Sequence, residues 1–209
     1  MEAKRILVIG GTGYIGTAVV SALTEARHSV SLLVRRNVKR DDCHVVVGDL
    51  NDHKRLLAVV KDFDLVINVA AVVRTLWKKK YKDNPRGVAN LLRAMEHNGV
   101  RRLIFFSTQD VYIEEVGAYG ASKKRCEDLI LRSRCDFVIL RLNHVYGIDR
   151  HKKNNMAFLS KMIRTFRVCP VIGGGENKLQ PVNKNDVAGY VRKLIGAFPT
   201  GSVIDVSGR

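Results

Sequence analysis

The 209-residue chain contains no apolar run approaching the roughly 20 residues needed to cross a bilayer, so no membrane span is expected. No secretory leader is expected either, because Met1–Glu2–Ala3–Lys4–Arg5 leads straight into an apolar stretch too short for an h-region. The expectation is a cytoplasmic protein. Cysteine is sparse and scattered: Cys43, Cys126, Cys135 and Cys169 show neither CxxC spacing nor a nearby His pair, so neither a disulfide framework nor a zinc site is expected, and no other metal either. Acidic residues are also in short supply, with 20 Asp plus Glu against 36 Lys plus Arg and a formal charge of +16. That balance favours small anionic partners such as nucleotides. The basic residues are spread along the chain, with denser spots at 35–40, 78–82 and 150–153 and no interleaved aromatics. Nucleic acid is therefore not an expected partner. No linker or repeat divides the sequence, which predicts a single domain over residues 1–209.

What is present is organised around Lys4–Gly16, KRILVIGGTGYIG. Its Ile, Leu and Val residues read as a buried parallel strand, and Gly10, Gly11, Gly13 and Gly16 crowd the turn into a helix. Glycines there let the backbone approach a pyrophosphate, and the helix N-terminus offers free N–H groups to the anion. The strand that follows, HSVSLLVRR, ends in Arg35 and Arg36 where a dinucleotide fold meets the adenosine ribose. Arginine suits a 2′-phosphate and an acidic residue a free 2′-hydroxyl, so NADP is expected in preference to NAD.

Further strands are expected at CHVVVGDL, at Asp64–Ala71, at VRRLIFFSTQDVY and at CDFVILRLNHVYG, with a last short one at GSVIDVSGR. The helices expected between them run from Gly13 to Arg27, Lys54 to Lys61, about Asn84 to Asn98, and through YGASKKRCEDLILRS. Another follows Asn183 or Asn185. The segment 72–82 reads as irregular and basic. Strands alternating with helices predict an α/β fold, a doubly wound parallel sheet of Rossmann type. The substrate-side elements are expected around residues 145–183.

Tyr119 and Lys123 stand at i and i+4, on one face of a helix. A lysine ammonium beside a phenol would stabilise phenolate and lower the tyrosine pKa, fitting it for proton transfer.

The segments GGTGYIG, GDLND, NVAA, NPRGVANLLRA, FFSTQDVY, YGASK, LRLNHVYG and QPVNKNDVA, in this order across nearly the whole chain, resemble the extended branch of the short-chain dehydrogenase/reductase superfamily, which includes NAD(P)-dependent epimerases and dehydratases of nucleotide sugars. The resemblance implies that Gly10, Gly13 and Gly16 take the pyrophosphate, with Thr12, Tyr14 and Ile15 lining the turn. It implies that Asp49 and Leu50 meet the adenine and that Ala70 and Ala71 border the middle of the cofactor. It also implies a catalytic set of Thr108, which holds the reacting oxygen, Tyr119, the acid/base, and Lys123, its electrostatic partner and a ligand of the nicotinamide ribose. The implied chemistry is hydride transfer between a nicotinamide and a carbinol or keto carbon, in an oxidoreductase or epimerase acting on a sugar nucleotide or another carbonyl or alcohol substrate. Helices 84–98 and 118–133 form a dimer interface in such proteins, which implies a homodimer.

Departures bear on the substrate. Gln109–Asp110 replaces the Asp–Glu pair of the 4,6-dehydratases, and glutamine supplies no proton, so dehydration is not expected. Asp110 stands either as a base or as a strand-end carboxylate. Asn143 and His144 precede the VYG element where the branch has one Asn; Asn143 is a candidate substrate contact, and His144 stands either as a second one or in a structural role. Leu179 stands where many relatives carry a diphosphate-gripping arginine, with Lys178 beside it. The 108–119 span is short, and the C-terminal substrate region is expected to be reduced. These departures leave a second reading, a cofactor-binding regulatory or assembly protein that has lost turnover.

Overall fold

A computed structural model describes residues 2–73, 77–113, 117–147, 162–168 and 180–208, with Lys78 described by its backbone alone. Strands β1 (Arg5–Ile9), β2 (Ser29–Val34), β3 (His44–Val47), β4 (Leu65–Asn68), β5 (Arg102–Thr108), β6 (Asp136–Leu142) and β9 (Ser202–Val206) form one seven-stranded sheet in the order β3-β2-β1-β4-β5-β6-β9. Every pairing in it is parallel. A separate parallel pair joins β7 (Val145–Tyr146) to β8 (Val182–Asn183). The helices are α1 (Tyr14–Glu25), α2 (His53–Val59), α3 (Asp83–His97), α4 (Ala118–Leu131) and α5 (Lys184–Gly196). The expected doubly wound sheet is therefore the one found.

Parallel strands covered on both faces read as continuous apolar runs, and alternate residues then enter opposite layers. In β1, Ile6 and Val8 pack with α1 and α5 through Val19, Val20, Leu23, Val187 and Val191. Leu7 and Ile9 pack on the other face with α2, α3 and α4 through Leu56, Leu91, Met95, Cys126 and Ile130. The two layers sandwich a sheet whose central strands are almost completely withdrawn from water.

Element ends differ from the sequence expectations by a few residues, each for a local reason. β4 stops at Asn68 because the chain bends away, although the Val69 N–H still donates to the Ile9 carbonyl at 2.9 Å. The expected sixth strand breaks at Asn143–His144 into β6 and β7. The segment expected to be irregular includes a 3-10 turn at Lys78–Lys82. Asp52 and Asn183 act as helix caps, accepting the N–H groups of Arg55 and Asn185, whereas Asn51 is occupied with Asp49.

The strand order reverses between β1 and β4. At such a switch point the loops leaving the carboxyl ends of neighbouring strands diverge and open a crevice.

Candidate active site

The crevice at the switch point is a cavity of about 850 Å³ lined from the ends of β1, β2, β3 and β4. Its floor is the glycine turn. Gly10 has φ +83°, and a Cβ there would lie 2.6 Å from the backbone nitrogen of Ala70. A Cβ on Gly16 would come within 2.2 Å of the Gly10 carbonyl oxygen. Only glycine lets β1, the loop after β4 and the first turn of α1 approach so closely. Helix α1 opens at Gly13 with no side-chain cap, so no N-cap side chain competes with an anion for the positive end of its dipole.

Two buried polar atoms beside this crevice, Asn68 Nδ2 and Asn51 Oδ1, have no hydrogen-bond partner among the described residues. Both residues line the cavity. Unpaired buried amide groups cost free energy unless something else meets them. The volume, the glycine cradle and these atoms fit a dinucleotide laid across the strand ends. Gly10, Thr12, Gly13, Tyr14, Ile15, Gly16, Asp49, Leu50, Ala70 and Ala71 all line the crevice, and so does Arg35. Arg36 is exposed and is not part of the wall. The turn bearing Asp49 is fixed by its carboxylate, which accepts the Asn51 N–H at 2.8 Å, and by Asn90 Nδ2, which donates to the Leu50 carbonyl at 3.1 Å.

A second cavity of about 230 Å³ is lined by Thr108, Tyr119 and Lys123, with Asn143 and Val145 on its far wall. It shares Ile15, Val69, Ala71, Val73 and Lys123 with the first, so the two adjoin. Thr108 closes β5, and its hydroxyl oxygen accepts the Asp110 N–H at 3.2 Å, leaving the hydroxyl proton available to another acceptor. Lys123 is almost wholly buried. Its ammonium donates to the Phe106 carbonyl and lies 4.2 Å from the centre of the Phe105 ring.

Charge in this pocket differs from the sequence expectation. Burial pushes the Tyr119 phenol above its ordinary range, with the Asp110 carboxylate adding to the shift, and Lys123 is not among the groups that act on it. The lysine itself is lowered to about 8 by burial. The side chains share a face as expected, but the ammonium donates to a backbone carbonyl, and the lowering of the phenol expected from the lysine is not found.

Comparison with known proteins places the chain in a family. The model of the NAD dependent epimerase/dehydratase family matches residues 6–206. The chain belongs to this family. UDP-glucose 4-epimerase of Vibrio cholerae is 28% identical across 90% of this chain and 65% of its own length. The inverting UDP-N-acetylglucosamine 4,6-dehydratase of Campylobacter jejuni is 29% identical over 70% of this chain and 50% of its own length. This family member thus spans about two-thirds or less of these relatives. Among solved structures, UDP-N-acetylglucosamine 4-epimerase from Bacillus cereus superimposes with a TM-score of 0.83 at 22% identity, over 98% of this chain and 76% of the other. The Bordetella bronchiseptica enzyme WbmH, solved with NAD+, gives 0.81 at 20% identity, over 99% and 76%. At these identities the structural likeness speaks for the fold.

Within this family framework, the remaining candidates separate. Asn143 reaches the second cavity while its Oδ1 accepts the His144 N–H at 2.7 Å; His144 is exposed and lines neither cavity. Asp110 lines neither and acts on the site through its charge on Tyr119. Lys178 and Leu179 lie outside the described residues. The sequence reading missed Asn84, whose Oδ1 accepts the Val72 N–H at 2.7 Å and whose Nδ2 donates to Ser122 Oγ at 2.9 Å. Ser122 in turn donates to the Tyr119 carbonyl at 2.7 Å. Asn84 had registered only as a helix start; nothing local showed that it joins the loop after β4 to α4. Lys80 and Cys126 also line the large cavity unannounced.

Proposed function

We propose that this family member binds a nicotinamide dinucleotide across the ends of β1 and β4, NADP in preference to NAD. On this reading it interconverts a carbinol and a carbonyl on a sugar nucleotide or a comparable anionic substrate. The observation that carries this is the joining of two cavities, one with a dinucleotide cradle and one walled by Thr108, Tyr119 and Lys123. The bound cofactor would supply or accept a hydride at the substrate carbon. Thr108 would donate its free hydroxyl proton in a hydrogen bond to the reacting oxygen. Tyr119 would deliver its phenol proton to that oxygen as it becomes a hydroxyl, and take it back in the reverse direction. Lys123, shared by both cavities, would meet the ribose of the cofactor.

The NADP preference rests on Arg35 at the cavity wall and on the lack of an acidic residue at that strand end. The relatives that act on UDP-sugars support an anionic substrate. A homodimer through α3 and α4 would bring exposed Arg86, Arg93, Lys124 and Arg125 toward a second copy, so added salt should favour it.

Titration with NADPH and NADH, followed by nicotinamide absorbance against a panel of keto-sugar nucleotides and simple ketones, tests the reading. Tyr119→Phe should keep cofactor affinity and lose roughly 10²- to 10⁴-fold in turnover; unchanged turnover refutes the mechanism. Arg35→Asp should reverse the cofactor preference. Binding with no turnover would instead favour the regulatory or assembly reading.

A further inference from the structure

Side chains from five segments meet in one polar chain that runs from the end of β5 through α4 to β6 and β9. Glu127 is only 2% exposed. Its Oε1 accepts the hydroxyl of Ser107, the residue just before Thr108. The Arg141 guanidinium of β6 grips both carboxylate oxygens, with Nε 3.1 Å from Oε1 and 3.2 Å from Oε2, and Nη2 2.6 Å from Oε2. Arg141 Nη1 donates to the Tyr112 hydroxyl at 2.6 Å, and that hydroxyl donates to Asp205 of β9 at 2.9 Å.

Helical spacing sets Tyr119, Lys123 and Glu127 on one face, at i, i+4 and i+8. The carboxylate is thus tied by its own backbone to two of the three candidate groups, and by Ser107 to the third. A buried ion pair adds little net stability over apolar residues of the same volume, yet its bidentate fork tolerates one orientation. We propose that Glu127 is a positioning residue that locks α4 in register with the ends of β5 and β6, so that Tyr119 and Lys123 face Thr108. This rests on the reading of those three residues given above.

The carboxylate has a second arm. Among the described residues, burial lowers the Lys123 pKa while Cys126 and Glu127 act to raise it. The Phe106 carbonyl and the Phe105 ring are its other neighbours. Glu127 therefore helps keep the buried amine charged at neutral pH.

Glu127→Gln alone leaves a guanidinium without its counter-charge and is expected to fold poorly, so the deciding variant is Glu127→Gln with Arg141→Gln. Both charges go and the shapes stay close. The pair variant should melt within a few degrees of wild type, lose about 10²-fold in kcat with little change in KM, and lose NADPH affinity at a lower pH than wild type does. Glu127→Asp, which keeps the charge, should hold that pH limit. A pair variant whose kcat and pH limit both match wild type overturns the proposal. If wild type binds NADPH yet reduces nothing, the catalytic reading of the three residues fails, and the pH limit of NADPH binding in the pair variant still decides for or against Glu127.

Discussion

Tyr119 and Lys123 lie one helical turn apart, and burial drives both toward their neutral forms, which moves their pKa values in opposite directions. For the lysine the linkage has a definite sign. The unfolded chain binds its proton up to about 10.5 and the folded chain only up to about 8, so the cost of burying the charge is complete below about pH 8 and is relieved as pH rises toward 10.5. Lys123→Met should therefore melt above wild type at pH 7, with the gap closing toward pH 10, while cofactor affinity falls; a variant that melts lower would show that the amine is favourably held. For the phenol, Asp110 is the adjustable neighbour after burial. Asp110→Asn should lower the Tyr119 pKa and raise alcohol oxidation at pH 8, by up to about tenfold per unit of pKa, as read from initial rates. At this scale the residue types were readable from spacing, but the direction of the tyrosine shift was not. A side chain's partner depends on which backbone carbonyl the fold brings to it, and Lys123 finds Phe106 from seventeen residues away.

The turn between β1 and α1 shows why local elements were readable. Its glycines, the strand before it and the helix after it all lie within one short stretch, and their conformations depend on neighbours in sequence. Those glycines are not equivalent, however. An alanine Cβ at Gly13 would meet only the Gly10 oxygen at 3.0 Å, whereas at Gly16 it would strike the backbone of Gly10 and Gly11 at 2.2 and 2.8 Å. Gly16→Ala should cost about 1–3 kcal/mol of stability through overpacking and abolish tight cofactor binding, while Gly13→Ala should fold nearly as wild type. Chemical denaturation beside NADPH titration of both variants checks the contrast, and equal losses would contradict it. Boundaries were less readable because helix and strand ends answer to tertiary contacts. β4 ends early where its chain turns to form the cavity wall, and the basic stretch 78–82 winds into a 3-10 turn that packs against α3 and α4.

For the whole molecule, the formal charge of +16 is spread over many segments, and among the described residues the surface ion pairs are Lys4–Glu2, Arg40–Asp42 and Arg101–Asp136. Self-repulsion of this kind weakens the compact state and is screened by salt. The melting temperature should rise between about 10 and 150 mM salt, the range over which the Debye length falls from ~30 Å to ~8 Å; a flat profile would mean that charge is already balanced locally. Among the described residues, no helix is long and apolar enough to cross a membrane. The Ser107–Glu127–Arg141–Tyr112–Asp205 chain is also a property of the whole, since it ties β5, α4, β6 and β9 together through residues as far as 93 positions apart.

Sequence by itself determined the alternation of strands and helices, the glycine-rich turn and the i, i+4 pair Tyr119 and Lys123, because apolar periodicity, glycine content and helical spacing are local properties of the chain, whereas Thr108 entered as a candidate only through the family resemblance. Only the tertiary structure decided that Arg35 rather than Arg36 reaches the cavity wall, that Asn84 joins the loop after β4 to α4, that burial pushes the Tyr119 phenol above its ordinary range, and that Glu127 is buried against Ser107 and Arg141. Each of these depends on which distant segments the parallel sheet brings side by side, and that geometry exists only once β1, β4, β5 and β6 have paired.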